Sequence, residues 1–309
     1  MPARGESNET ETKGQARTAR SLNFKNDYVD SSFQRLTGSR APSTIVVMIH
    51  CAVRFFGDVQ RRILFAVVLA FPFLAGCVEF HLVDPNVRYV AFGDSSTSGP
   101  STRDYPDILR SLLGEAPETF ANEGRGGETS EEGQIRLETL LKAEIFPNAE
   151  VLLYWQGGGD INEFIREHDP FLLASPDDPD FPLTNRLELH LSKTQLNIES
   201  TIAAARDTGL RVYVATYYFF REDLAGCDAL PLPVVLPSQA ENANAYITRL
   251  NQRIREAAQN QGAVLVDVAA ADDDLREDEA NYFDCNHLSE QGNAIVADLF
   301  LKAITAPPD

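Results

Sequence analysis

The sequence predicts an α/β protein whose parallel sheet is covered by helices on both faces. Four short β-rich runs alternate with helical stretches, and a weaker fifth run joins them; the runs are 88–93, 118–122 (the weaker one), 150–156, 211–219 and 263–269. Strands of continuous apolar character between amphipathic helices are typical of a parallel sheet that is buried on both sides. Ligands of such sheets bind beyond the carboxyl ends of the strands, so reactive residues should follow strands.

The helix pattern is clearest from Tyr246 to Ala257, where apolar residues recur at spacings of three and four and Gly262 supplies a stop. Two Pro- and Asp-rich interruptions, 170–186 and 220–240, are too long for simple connections. We therefore expect both interruptions to be substrate-facing loops.

Charge excludes one class of partner. Residues 77–309 carry 17 Lys and Arg against 40 Asp and Glu, a balance that repels phosphate backbones, so no nucleic acid is expected as a partner. No Walker-type Gly-rich loop is present, and no cofactor is expected. The acidic runs 177–178 and 272–274 do not fit the spaced calcium-binding loop, so no metal site is expected and both runs are interpreted as solvated surface.

The N-terminal region is not expected to belong to the fold. Residues 1–47 are polar without an apolar period, which indicates disorder or an untranslated extension. Residues 48–76 are typical of a signal peptide, because Arg61 and Arg62 precede an apolar run that is too short to span a bilayer comfortably. A buried helix is the alternative interpretation of this run.

The apolar run ends in Leu-Ala-Gly-Cys, which resembles the lipobox of bacterial lipoproteins. The resemblance implies that Cys77 is acylated and becomes the first mature residue. Residues 77–85 would then be an anchor linker, and residues 86–309 the folded domain. The protein would then be exported and held by lipid at a bacterial membrane, on the periplasmic or outer-surface side. In that oxidising compartment the remaining thiols, Cys227 and Cys285, are candidates for a disulfide.

Residues 93–99, directly after the first predicted strand, read Gly-Asp-Ser-Ser-Thr-Ser-Gly. A serine at a strand end, here Ser95, can attack a carbonyl while its own backbone N–H helps to hold the resulting oxyanion. A Gly-Asp-Ser triplet alone equally makes a plain turn.

Glycine-rich segments follow the next two predicted strands. Residues 122–129 read Asn-Glu-Gly-Arg-Gly-Gly-Glu-Thr, and residues 157–162 read Gly-Gly-Gly-Asp-Ile-Asn. Glycines let backbone N–H groups turn toward a ligand, as an oxyanion hole requires. Simple turn chemistry is the alternative for both segments.

Asp284 and His287 form the fourth motif, before the last helix. An offset of three residues puts the carboxylate within reach of the imidazole, so Asp284 can fix the tautomer of His287 and leave its other nitrogen to take a proton. A surface pair is the alternative. The other histidines lack such a setting or, as with His50, precede the domain.

The order of these four motifs resembles that of the SGNH (GDSL-like) hydrolase family, over about residues 86–305. The resemblance implies a flavodoxin-like three-layer α/β/α sandwich around a five-stranded parallel sheet. It also implies that Ser95 is the nucleophile, that Asp284 and His287 complete a triad, and that the Gly124 backbone N–H is an oxyanion donor. Known members include esterases, thioesterases, lysophospholipases and carbohydrate acetylesterases.

One position departs from the family pattern. The third of the four motifs, which we call the third block (residues 157–160 here), normally reads Gly-X-Asn-Asp in this family. In this sequence Gly159 stands in the place of the Asn and offers only its backbone N–H. Losing one such donor costs about 100- to 1000-fold in turnover. Asn162 lies three residues later and shares a face if a helix begins near Gly159, so we predict that Asn162 supplies the missing amide.

The sequence thus predicts a serine esterase that hydrolyses short acyl esters, lipids or acetylated glycans. A non-catalytic lipoprotein that keeps this fold to bind a glycan or protein partner is the alternative, motivated by the altered third block.

Overall fold

In the computed structural model of the protein, residues 82–221 and 237–307 are described. Their five strands form one parallel sheet in the order β2-β1-β3-β4-β5. The strands are β1 (Tyr89–Gly93), β2 (Phe120–Gly124), β3 (Val151–Trp155), β4 (Arg211–Ala215) and β5 (Val264–Val266). This topology confirms the predicted five-stranded parallel sheet. Its switch point, where ligands bind in such sheets, lies at the carboxyl ends of β1 and β3.

Seven α-helices in the described residues cover the two faces of this sheet. They are α1 (Tyr105–Leu113), α2 (Ser130–Lys142), α3 (Gly158–His168), α4 (Thr184–Asp207), α5 (Pro237–Gln261), α6 (Asp272–Glu277) and α7 (Glu290–Thr305). Helix α1 packs against α7, whereas α4 packs against α2 and α5. The predicted three-layer α/β/α sandwich is therefore confirmed.

The core lies along the central strands. Every residue of β1 and β3 is buried, because helices cover both of their faces. Trp155 and Tyr154, at the end of β3, have no exposed surface. The Trp155 ring lies against the rings of Tyr105, Tyr217 and Tyr218, so the carboxyl end of β3 is packed with aromatic side chains.

Two boundaries differ from the sequence prediction. β4 ends at Ala215 rather than at residue 219, and α5 begins at Pro237, inside the interruption predicted at 220–240. Gly262 ends α5 with φ +60°, the left-handed conformation that favours glycine, as the predicted stop requires.

Several sequence predictions fall outside the described residues. These concern residues 1–81 with Cys77, and residues 222–236 with Cys227. Among the helices that the structure describes, none has the length and apolar character needed to cross a bilayer.

Candidate active site

The nucleophile turn begins where β1 ends. A side chain at Gly93 would place its Cβ 2.0 Å from the Trp155 carbonyl oxygen, so only glycine lets β1 pass this close to β3. The half-buried Ser95 comes two residues later. Within residues 82–221 and 237–307, the Ser95 N–H has no hydrogen-bond partner, so this donor is free to face a ligand.

The Asp94 carboxylate holds this turn in place. One of its carboxylate oxygens accepts from the Ser96 N–H at 2.9 Å, and the other accepts from the Gly158 N–H at 3.1 Å and the Tyr217 hydroxyl at 2.5 Å. Burial raises the pKa of Asp94, although these hydrogen bonds oppose the shift. The carboxyl group thereby ties the end of β1 to the start of α3 and to the segment that follows β4.

Asp284 and His287 form a second turn, before α7. The His287 Nδ1 lies 3.0 and 2.9 Å from the two carboxylate oxygens of Asp284. Burial alone would raise the pKa of Asp284, but hydrogen bonds from the His287 ring and from the Asn286 N–H outweigh it and lower the pKa. The ionised carboxylate therefore orients the ring, and Nε2 is left to exchange a proton.

The two turns meet at the carboxyl edge of the sheet. Ser95, Ser96 and Asn286 line one cavity of about 40 Å³. The Tyr218 ring also lines it, and its hydroxyl donates to the Asn286 carbonyl at 2.7 Å. No hydrogen bond joins the Ser95 hydroxyl to the His287 ring in the described part of the chain. Such bonds are often long without substrate, and the predicted contact stays a prediction.

The predicted oxyanion role of Gly124 stays a prediction, and one contact in the structure disfavours it. Its N–H donates to the Asn122 side-chain oxygen at 3.0 Å and is therefore already engaged. A Cβ on Gly124 would also lie 2.6 Å from the Ser98 nitrogen, so this glycine closes the end of β2 under the nucleophile loop.

Gly126 lies beside the nucleophile, and Gly127 follows it in the chain. A Cβ on Gly126 would lie 3.9 Å from the Ser95 Cβ, and Gly127 adopts φ +76°. Neither backbone N–H has a partner among the residues that the structure covers. The sequence signal for this loop was a glycine pair separated by one residue from the Thr129 cap of α2, because the left-handed conformation of Gly127 favours glycine.

A buried cation, which the sequence analysis did not identify, holds this loop. The Arg136 guanidinium binds both carboxylate oxygens of Glu128 at 2.6 and 2.7 Å and the Glu123 carbonyl at 2.9 Å. It also lies 3.8 Å from the centre of the Phe92 ring. On the opposite side, the Gln156 amide donates to the Glu128 carbonyl at 2.8 Å. Residues 124–127, which we call the glycine loop, are therefore held at both ends.

Packing around Gly159 explains why the third block lacks the family asparagine. A Cβ on Gly159 would lie 2.2 Å from the Glu128 carbonyl oxygen, so an asparagine does not fit there. The predicted contribution of the Gly159 N–H to the oxyanion hole stays a prediction. Asn162 lines the cavity with Ser95, and no group in the described ranges hydrogen-bonds its side-chain amide. The predicted role of Asn162 stays a prediction.

Asp160, next in the same block, joins three helices. Its carboxylate accepts from the Ser130 N–H at 2.7 Å, from the Ser130 hydroxyl at 2.6 Å and from the Thr194 hydroxyl at 3.0 Å. Burial raises its pKa, and these hydrogen bonds oppose the rise. Asp160 thus fixes the starts of α2 and α3 against α4.

Cys285 is buried between Asp284 and His287 and is disulfide-bonded. The other three cysteines lie outside the described residues, so the pairing with Cys227 stays a prediction. Where side chains are described, no group of three or more His, Cys, Asp or Glu residues is arranged to hold a metal ion.

A serine at the sheet switch point, an Asp-His pair at the same edge and backbone N–H groups without partners near the serine are features that a serine hydrolase requires. Comparison with known proteins gives the family. The model of the GDSL-like Lipase/Acylhydrolase family matches residues 91–295, and the chain belongs to this family. The protein is therefore a hydrolase of ester bonds.

Solved structures with similar coordinates include AlAXEase, described as an acetyl xylan esterase, at 18% identity over 71% of this chain and 100% of that one, with a TM-score of 0.47. A catalytic mutant of Axe2, an acetylxylan esterase from Geobacillus stearothermophilus, is 16% identical over 74% and 98%, with a TM-score of 0.48. A member of the lipolytic G-D-S-L family from Veillonella parvula is 14% identical over 72% and 100%, with a TM-score of 0.47. No curated protein gives a significant match.

Proposed function

We propose that this protein is a serine esterase that acts through an acyl-enzyme. The observation that carries the proposal is the Asp284 carboxylate held 2.9 Å from the His287 Nδ1, in a turn that shares a cavity with Ser95. His287 takes the Ser95 proton as the hydroxyl oxygen attacks the ester carbonyl. The alcohol leaves with that proton, and water activated by the same ring then releases the acid.

Four donors support the oxyanion in this proposal. They are the backbone N–H groups of Ser95, Gly126 and Gly127 and the side-chain amide of Asn162. Two observations favour these donors: none of them has a hydrogen-bond partner within the described ranges, and Gly126 and Asn162 lie beside Ser95. Donors that are already oriented stabilise the developing charge without reorganising during the reaction.

The cavity beside Ser95 favours a short acyl group. Its wall is mainly apolar, formed by Ile161, Phe220, Ile247 and Leu250, and its volume is about 40 Å³. One water molecule needs roughly 10 to 15 Å³ of such cavity space, so the cavity suits a group of about three non-hydrogen atoms, such as acetyl, better than a long chain. Among the predicted substrates, we therefore favour acetyl esters over long-chain lipids. Initial rates on esters of two to ten carbons should fall as the acyl chain lengthens.

Labelling with a serine-directed fluorophosphonate tests the activity. Wild-type protein should be labelled and Ser95→Ala should not. Ser200→Ala is the control, because the exposed Ser200 hydroxyl donates to the Leu196 carbonyl within α4 and this variant should leave labelling intact. Absence of labelling in folded wild-type protein would favour the alternative, a binding protein that keeps the hydrolase fold.

We also propose that the protein is exported and anchored by lipid on Cys77, supported by the Leu-Ala-Gly-Cys sequence that ends the apolar run. Incorporation of labelled fatty acid into wild-type protein, but not into Cys77→Ser, tests the anchor. Peptide mapping without reducing agent tests the predicted Cys227–Cys285 disulfide, since a linked pair of peptides should disappear on reduction.

A further inference from the structure

The segment that follows β4, residues 217–220, lies between the nucleophile turn and the base turn; we call it the β4 extension. It is held by two asparagines of α5 rather than by a strand. The Asn251 side chain accepts from the Tyr217 N–H and donates to the Tyr217 carbonyl, both at 2.7 Å. Asn244 binds Phe220 in the same way, at 2.7 and 2.9 Å. Each side-chain amide pairs with a backbone N–H and a carbonyl, as a neighbouring strand would, so α5 holds both ends of the segment.

Two consecutive tyrosines of the β4 extension contact the two turns. The Tyr217 hydroxyl donates to the Asp94 carboxylate at 2.5 Å, and the Tyr218 hydroxyl donates to the Asn286 carbonyl at 2.7 Å. Asp94 directly precedes Ser95, and Asn286 directly precedes the base. Both rings pack on the Trp155 ring, with centroids 5.8 and 6.0 Å away, which fixes where the hydroxyls lie.

We propose that Tyr217 and Tyr218 are positioning residues that set the distance between the Ser95 hydroxyl and the His287 ring. The inference rests on the proposed function. Those two groups lie on turns that are far apart in sequence, and no hydrogen bond joins them within the described ranges. The β4 extension contacts Asp94 and Asn286, the residues directly before Ser95 and His287, so it constrains the positions of both turns. The hydroxyls are directed at Asp94 and the Asn286 carbonyl, so they act through those residues.

The test uses Tyr217→Phe and Tyr218→Phe. Both substitutions keep the ring and the cavity wall and remove one hydrogen bond. A misplacement of about 1 Å can cost about 100-fold in rate, so we expect kcat to fall by about 10- to 100-fold with KM within about twofold. The rate constant of fluorophosphonate labelling should fall in parallel, because labelling needs the same contact between hydroxyl and ring.

Tyr246→Phe is the matched control. Tyr246 is fully buried and its hydroxyl donates to Asp169 at 3.0 Å, away from both turns. This variant loses an equivalent hydrogen bond and should keep wild-type kcat. Thermal unfolding of all three variants separates a general loss of stability from a local loss of alignment.

Folded Tyr217→Phe and Tyr218→Phe proteins with kcat within twofold of a labelled wild type would overturn this inference alone. A rise in KM that accounts for the whole loss would overturn it too, since the tyrosines would then bind substrate directly. A wild type that is not labelled at Ser95 would refute the proposed function and this inference with it.

Discussion

Restoring the family asparagine at position 159 should damage this enzyme rather than improve it. A Cβ at that position would lie 2.2 Å from the Glu128 carbonyl oxygen. Because carbon and oxygen atoms in contact need roughly 3.2 Å or more, the glycine loop must move by about 1 Å. Such overpacking costs about 1 to 3 kcal/mol of stability. The same shift moves Gly126 and Gly127, and a misplacement of that size costs about 100-fold in rate.

The assay is kcat and KM on a short acyl ester, with thermal unfolding, for Gly159→Ala and Gly159→Asn. Both variants should show kcat lower by about 100-fold. Gly114→Ala is the control, because Gly114 has φ +71° and nothing within 4 Å of an added Cβ. It should lose about 1 kcal/mol through backbone strain and keep its activity. A Gly159→Asn protein as active as wild type would refute the packing argument.

Three further predictions concern the same edge of the sheet. Asn162→Ala should lower kcat by about 100- to 1000-fold, and turnover within about twofold of wild type would remove Asn162 from the oxyanion hole. Asp284→Asn should lower kcat by about 10⁴-fold through the wrong ring tautomer, measured by steady-state kinetics. The pKa of Asp284 is lower in the native state than its unfolded-state value of about 3.9, so its contribution to stability is present above that value and is lost as pH falls through the native pKa. The stability advantage of wild type over Asp284→Asn should therefore shrink below about pH 4 in denaturant titrations. Arg136→Met leaves the buried Glu128 carboxylate unpaired and should cost about 3 to 5 kcal/mol of unfolding free energy. The Arg136→Met/Glu128→Leu double variant should recover part of this loss, and equal stability of the single and double variants would contradict the prediction.

The fold was predictable because its strongest signals are buried strands. β1 and β3 are apolar throughout, whereas β2 is only half-buried and gave a weaker signal, displaced by two residues. β4 was predicted four residues too long, since its extension has the composition of a strand. Its partners are asparagine side chains of α5, which no strand pattern reveals.

The candidate site was predictable where topology determines it. Ser95 follows β1, and the predicted pairing of Asp284 with His287 is present as a hydrogen bond. The direction of each N–H in the glycine loop depends on backbone angles that the residue type does not give, so the sequence does not distinguish Gly124 from Gly127 as the donor.

Charged side chains are mostly exposed, so the sequence alone gives little reason to expect a buried clamp on the glycine loop. The signal was the spacing of Arg136 with Gly133, Leu137 and Leu140, which places it on the buried face of α2. A charge on an apolar helix face indicates a buried partner, here Glu128.

A crystal structure of the fluorophosphonate adduct would test the central claim most directly. We expect the phosphorus on the Ser95 hydroxyl oxygen, and the phosphonyl oxygen within hydrogen-bond distance of the Gly126 or Gly127 N–H and the Asn162 amide. We also expect the His287 Nε2 to face the adduct. An adduct on another residue, or a His287 ring turned away from Ser95, would contradict the claim.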